Sequence, residues 1–180
     1  MARRPGQGAR ASAPPLNFIF KAFKLKTKPR IREVYEMIKK LEISAKLAQD
    51  FKIESQIRDH HVVVDQPPAG GGNNEGPSPL EFACLSLAAC VITIGQIIAR
   101  QRRINLKGIE SRVEAEIDPD VYMGKNRDNR PGFISYKVFT KIDADLSLGE
   151  KTKFLEEIDS RCPISENLQH ITPVQMELEE

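Results

Sequence analysis

The sequence predicts an α+β domain organised around one long apolar helix and several antiparallel strands. Three observations carry this expectation. Phe82–Ala99 is an 18-residue apolar run, too long for an ordinary strand and flanked by helix start and stop signals. Ile109, Ser111, Val113, Ala115 and Ile117 alternate with Glu110, Arg112, Glu114 and Glu116, the period-two pattern of a half-buried strand. Ile134, Tyr136, Val138 and Ile142 then mark one face of a further strand, expected to pair antiparallel with the first.

From the N-terminus, residues 1–15 are rich in Arg, Gly, Ala and Pro and are expected to form a disordered basic arm. No acidic residue precedes Glu33, as in an organellar transit peptide, but Pro5, Pro14 and Pro15 argue against a presequence helix. A solvated arm is the expected reading, nucleic-acid contact the lesser one. Residues 16–44 form an N-terminal extension. Phe18, Phe20 and Phe23 lie among lysines there, in a strand or a docking segment. Ile31, Val34, Tyr35, Ile38 and Leu41 fall at helical spacing, which predicts an amphipathic helix over residues 31–42.

The main domain is expected over residues 45–180. Residues 45–65 read as strands, with the β-branched Val62-Val63-Val64 ended by Gln66-Pro67-Pro68. Ala69–Gly76 is a Gly-rich loop. It lacks the Gly-Lys-Ser/Thr ending of a phosphate loop, so a linker is the stronger reading. Ser78 then caps the central helix over residues 77–103, with Pro79 in the first turn and Glu81 at the capping-box position. Arg100, Arg102 and Arg103 suit the negative end of its dipole. Residues 122–132 are a polar loop. Ser147 and Glu150 predict a second capped helix with Leu148, Phe154, Leu155 and Ile158 on its apolar side. A short helical turn follows over residues 164–168. Val174, Met176 and Leu178 alternate and suggest a last strand.

Charge is unevenly spread along the 180 residues. Residues 1–40 carry eleven Lys or Arg against two Glu, a net of +9, and the rest carry 16 basic against 23 acidic residues, a net of −7. The three cysteines are too few and odd in number for a disulfide-stapled secreted scaffold, and no apolar signal peptide is visible. A cytoplasmic chain is expected. Phe82–Ala99 is at the lower limit for crossing a bilayer, and a buried core helix is the expected reading, with no membrane partner.

Chemistry centres on the cysteines. Cys84 and Cys90 are six residues apart on one helix, so they point about 120° apart and cannot bond to each other. Cys84 reads as a small core residue. Cys90 alone would read the same way, because free cysteine is among the most buried residue types. Cys162 precedes Pro163, and proline is favoured at the first helical position. That places Cys162 at a helix N-terminus, a setting that favours a thiolate. A plain capping role is the alternative.

Several segments together resemble the OsmC/Ohr family of peroxide-handling proteins. They are Gly76-Pro-Ser-Pro-Leu-Glu81, Leu85-Ser-Leu-Ala-Ala-Cys90, Arg161-Cys162-Pro163-Ile164, and the upstream His60-His-Val-Val-Val-Asp65-Gln-Pro67 with Gly71-Gly72. The similarity spans residues 45–178. It implies curved antiparallel sheets wrapped around central helices in an intertwined homodimer. It implies Cys90 as the peroxidatic thiol and Cys162 as the resolving one. The implied activity is two-cysteine reduction of organic hydroperoxides, with hydrogen peroxide a further candidate, and regeneration by an external dithiol without a cofactor. Arg58 and Glu81 match the family's supporting Arg and Glu. Each has a plainer reading, Glu81 as capping-box residue and Arg58 as an exposed strand-end charge. His60 is a further candidate, with a solvated histidine as its plainer reading.

The Asn-Pro-Glu-Gln pattern of the organic-hydroperoxide branch is absent. That keeps two other readings open. One is a non-catalytic protein binding a small hydrophobic ligand at the dimer interface. The other is a fixed or merely packed cysteine pair.

Overall fold

The structure, a computed structural model, describes residues 38–179. The expected disordered arm, the Phe18–Phe23 segment and most of the 31–42 helix lie outside those residues. Where that helix should end, residues 38–45 have no regular structure.

Three short strands come first: β1 (Lys46–Gln49), β2 (Lys52–Ile57) and β3 (His60–Val64). They form an antiparallel sheet in the order β1-β2-β3. Both hairpins close through two residues, and the first of each, Asp50 and Arg58, takes a left-handed backbone (φ 49° and 55°), as tight hairpin turns do.

The loop after β3 is organised by one carboxylate. Asp65 is 1% exposed and accepts backbone N–H bonds from Gln66 (2.7 Å), Asn73 (3.0 Å) and Glu75 (3.0 Å). These bonds hold its carboxyl below the usual aspartate range, the Glu75 amide contributing most. The loop amides thus turn inward onto Asp65. Gly72 is required here: a Cβ would lie 2.2 Å from the Gln66 carbonyl oxygen.

Asp65 also donates its own N–H to Pro77 O (3.2 Å), which sets the start of the long helix α1 (Pro79–Arg102). The expected capping box is present. Glu81 N–H donates to Ser78 Oγ (3.3 Å), and Ser78 N–H donates to Glu81 Oε2 (2.7 Å). Among the described residues α1 is the one helix long and apolar enough to cross a membrane. Here it is the core helix of the fold.

Strands β4 (Leu106–Glu116) and β5 (Ser135–Ala144) pair antiparallel, with Val113 opposite Val138 and Ser111 opposite Thr140. A one-turn helix, α2 (Pro119–Tyr122), interrupts the loop between them. Helix α3 (Leu148–Arg161) opens on the Ser147–Glu150 capping box, and α4 (Pro163–Gln169) follows after one residue.

Leu87, Val91, Ile98 and Ala99 of α1 meet Phe154, Ile158 and Cys162, with Ile109, Val113, Tyr136 and Ile142 packed around them. Their spacing on α1 is one helical stripe. Gly95 lies on that stripe, and a Cβ there would come within 2.8 Å of Ile109 Cδ1 and 3.1 Å of Ile158 Cδ1. The helix is pressed onto both β4 and α3 at this point.

The last strand expected at Val174, Met176 and Leu178 does not form. Residues 171–179 have no regular structure, and Val174, Met176 and Leu178 are 84%, 96% and 90% exposed. The alternation is present, but a strand needs a sheet partner to hydrogen-bond to, and this segment pairs with neither sheet of the described residues.

Candidate functional site

Cys162 is the single residue between α3 and α4. Its N–H donates to Asp159 O (3.2 Å) and its carbonyl accepts from Glu166 N–H (3.0 Å), so one residue ends the first helix and starts the second. Pro163 occupies the first helical position, where a missing N–H costs nothing. The Cys162 thiol accepts the Ser165 N–H (3.5 Å), and the residue is 1% exposed. The capping role read from Cys162-Pro163 is therefore what the backbone adopts.

Cys90 is half-buried on α1, against the cluster that contains Cys162. Burial pushes the Cys90 thiol up from its ordinary value; the neighbouring Cys162 thiol pushes the same way, and the Ile164 amide pulls it back in part. Cys90 and Cys162 are thus neighbours at a corner built by three helices. All three cysteines are free. Cys84 stands apart from the pair, beside Tyr136, whose hydroxyl is pushed up chiefly by burial.

The other two candidates are not joined to the pair within one chain. Glu81 precedes Cys90 by nine residues, about 13 Å along the helix axis. Its Oε2 accepts from both the amide and the hydroxyl of Ser78 (2.7 Å each), which lowers its carboxyl. Oε1 accepts no hydrogen bond among the described residues. Arg58 is exposed at the β2–β3 turn, with its carbonyl taken by Gln56 Nε2 (2.8 Å). Among the described residues its side chain forms no ion pair, and no cation is among the groups that shift Cys90. His60 is exposed at the start of β3.

Two contributors escaped the sequence reading. The Ile164 amide is invisible in a sequence, because any residue at that position supplies it. Ser165 left a faint signal, standing three residues after the capping Cys162, where a capping residue's partner belongs.

A family model described as OsmC-like protein matches residues 71–177. The chain belongs to the OsmC-like family. No curated protein matches it in sequence. In three dimensions it is similar to the OsmC-like protein of Mycoplasma pneumoniae, with a TM-score of 0.65 and 22% identity over 75% of this chain and 91% of that one. It is similar to the organic hydroperoxide resistance protein of Elizabethkingia anophelis, with a TM-score of 0.56 and 16% identity over 75% and 93%. The organic hydroperoxide resistance protein OsmC of Legionella pneumophila gives a TM-score of 0.53 and 16% identity over 71% and 88%. At these identities the likeness establishes the OsmC-like fold. Within that fold, Cys90 and Cys162 come together at the corner of α1, α3 and α4.

Proposed function

We propose that this OsmC-like protein is a thiol peroxidase that reduces organic hydroperoxides through Cys90 and Cys162. The observation that carries the reading is the packing of Cys90 against the cluster that holds Cys162, one thiol half-exposed and one buried. A peroxide reaches the half-exposed sulfur first. The Cys90 thiolate attacks the terminal peroxide oxygen; an S–O bond forms, the O–O bond breaks, and the alkoxide leaves with a proton as alcohol. Cys162, as thiolate, then attacks the sulfenyl sulfur. The S–S bond forms, the S–O bond breaks, and hydroxide leaves with a proton as water. The peroxide gains two electrons, the pair loses two, and an external dithiol returns them by exchange.

The working unit we propose is a homodimer. Apolar α1 has only 28% of its most apolar window buried, and Leu85 on it is 55% exposed. The β1–β3 sheet packs extensively on no other described element, and the C-terminal alternation pairs with neither described sheet. A second copy supplies a layer for each. Arg58, at the tip of that unsupported sheet and without an ion-pair partner among the described residues, is then the cation for Cys90 of the other copy. Glu81, through Oε1, orients it. Three free cysteines suit a reducing compartment such as the cytoplasm.

The test is a pair of substitutions assayed with cumene hydroperoxide. Cys90→Ser should abolish peroxide consumption. Cys162→Ser should allow one turnover and no disulfide. Equal consumption by wild type and Cys90→Ser would sink the reading.

A second reading, a non-catalytic binder of a small hydrophobic ligand, has one observation in its favour: burial pushes the Cys90 thiol up, and no cation among the described residues opposes this. Native mass spectrometry decides it. A stoichiometric co-purified apolar ligand, with thiols inert to peroxide, would replace the first reading by this one.

A further inference from the structure

The corner that carries Cys162 is locked by a side-chain clip. Ser165 Oγ donates to Asp159 Oδ1 (2.5 Å) and accepts from Gln169 Nε2 (2.9 Å). Asp159 belongs to the last turn of α3, and Ser165 and Gln169 belong to α4. The clip therefore spans the one-residue junction and fixes the angle between the two helices. That angle matters for two residues. Cys162 and Ile164 both lie between the ends of the clip, and both pack in the cluster that Cys90 packs against. The remaining junction bonds are Cys162 N–H to Asp159 O, Glu166 N–H to Cys162 O and Ser165 N–H to Cys162 Sγ; the clip is the side-chain bond that joins the two helices directly.

We infer that Ser165 is a positioning residue: its hydroxyl, clipped to Asp159, holds the Cys162 thiol at bonding reach of Cys90 and so sets how readily that disulfide forms. The inference rests on the proposed use of the Cys90–Cys162 pair, but it concerns the closing of the S–S bond and not the attack on peroxide. In closing, the two sulfurs lose two electrons and two protons to an oxidant, glutathione disulfide in the test below. Removing the hydroxyl leaves the Ser165 amide in place, so the bond to the Cys162 sulfur survives and the clip alone is lost.

The test is a glutathione redox titration of the full-length protein without peroxide, read by peptide mapping of the Cys90–Cys162 bond. Ser165→Ala should lower the equilibrium constant for disulfide formation about ten-fold, or about 30 mV for a two-electron couple. Asp159→Ala should lower it similarly, and the double variant should be no worse than either, because both break one bond. Ser165→Thr keeps the hydroxyl and should restore the constant to within about two-fold. A merely structural serine would lower the melting temperature and leave the constant unmoved. An unchanged constant in folded Ser165→Ala, additive effects in the double variant, or a wild-type protein that forms no Cys90–Cys162 bond would each overturn the inference. If the constants shift as expected while wild-type thiols ignore cumene hydroperoxide, the peroxidase reading fails and the positioning role stands.

Discussion

Helix α1 and the β1–β3 sheet both carry apolar side chains, yet one face of α1 is covered by other described elements and the sheet is not. On α1, Leu87, Val91, Ile98 and Ala99 are buried by β4, α3 and α4. In the sheet, Ile53, Ile57 and Val62 to Val64 are only half-buried, and Ser55 is its one buried residue. The difference is the presence of a second layer. A three-stranded sheet gains stability from a hydrophobic face only when something covers it. The thiol pair lies at the covered face of α1, and Arg58 lies in the uncovered sheet.

The largest expected effect breaks the covered face. Phe154 is 1% exposed at the centre of the α1–α3 contact, and Phe154→Ala should cost about 3–5 kcal/mol in urea unfolding. A loss below about 1 kcal/mol would mean that this contact is not the core.

Leu85→Glu probes the surfaces left uncovered, on α1 as well as on the sheet. It adds charge to the uncovered side of α1, so sedimentation velocity should show a dimeric wild type and a monomeric variant. Amide exchange in β1–β3 should quicken in that variant while β4 and β5 stay protected. A monomeric wild type would remove the proposed second layer.

Asp65 joins the sheet to α1, and its expected effect is smaller and pH-dependent. Its folded carboxyl lies below 3.8, the ordinary value. Its contribution is therefore complete above that value and is lost as pH falls through the lower folded value. Asp65→Asn should lower the urea midpoint near neutral pH, and the gap to wild type should close on acidification. A gap that widens in acid would reverse the sign and refute the cage.

The smallest effect is the cap of α1. Ser78→Ala should cost about 1 kcal/mol, and thermal unfolding with matched peroxide assays would separate that loss from any effect at Cys90.

What could be read from the sequence follows the range of the forces involved. Both capping boxes, Ser78–Glu81 and Ser147–Glu150, obey local rules and form as expected. The junction Cys162-Pro163 does too, since proline's missing N–H and fixed φ act on neighbours alone. The β4–β5 pair was legible from its alternation. That Cys90 and Cys162 are neighbours was not, because it depends on how α3 packs against α1; resemblance supplied it. Asp65 read as the end of a strand, and nothing local announces that its carboxylate takes amides eight and ten residues on. Val174, Met176 and Leu178 failed for the opposite reason: the local pattern is right, but the segment pairs with neither sheet of the described residues.

The central claim is that the Cys90–Cys162 corner is a peroxide-reactive pair, and intact-mass measurement with peptide mapping after a single equivalent of cumene hydroperoxide tests it most directly. The account predicts the loss of two hydrogens, a Cys90–Cys162 disulfide, and a free Cys84. Three thiols still free after the peroxide is added would contradict it.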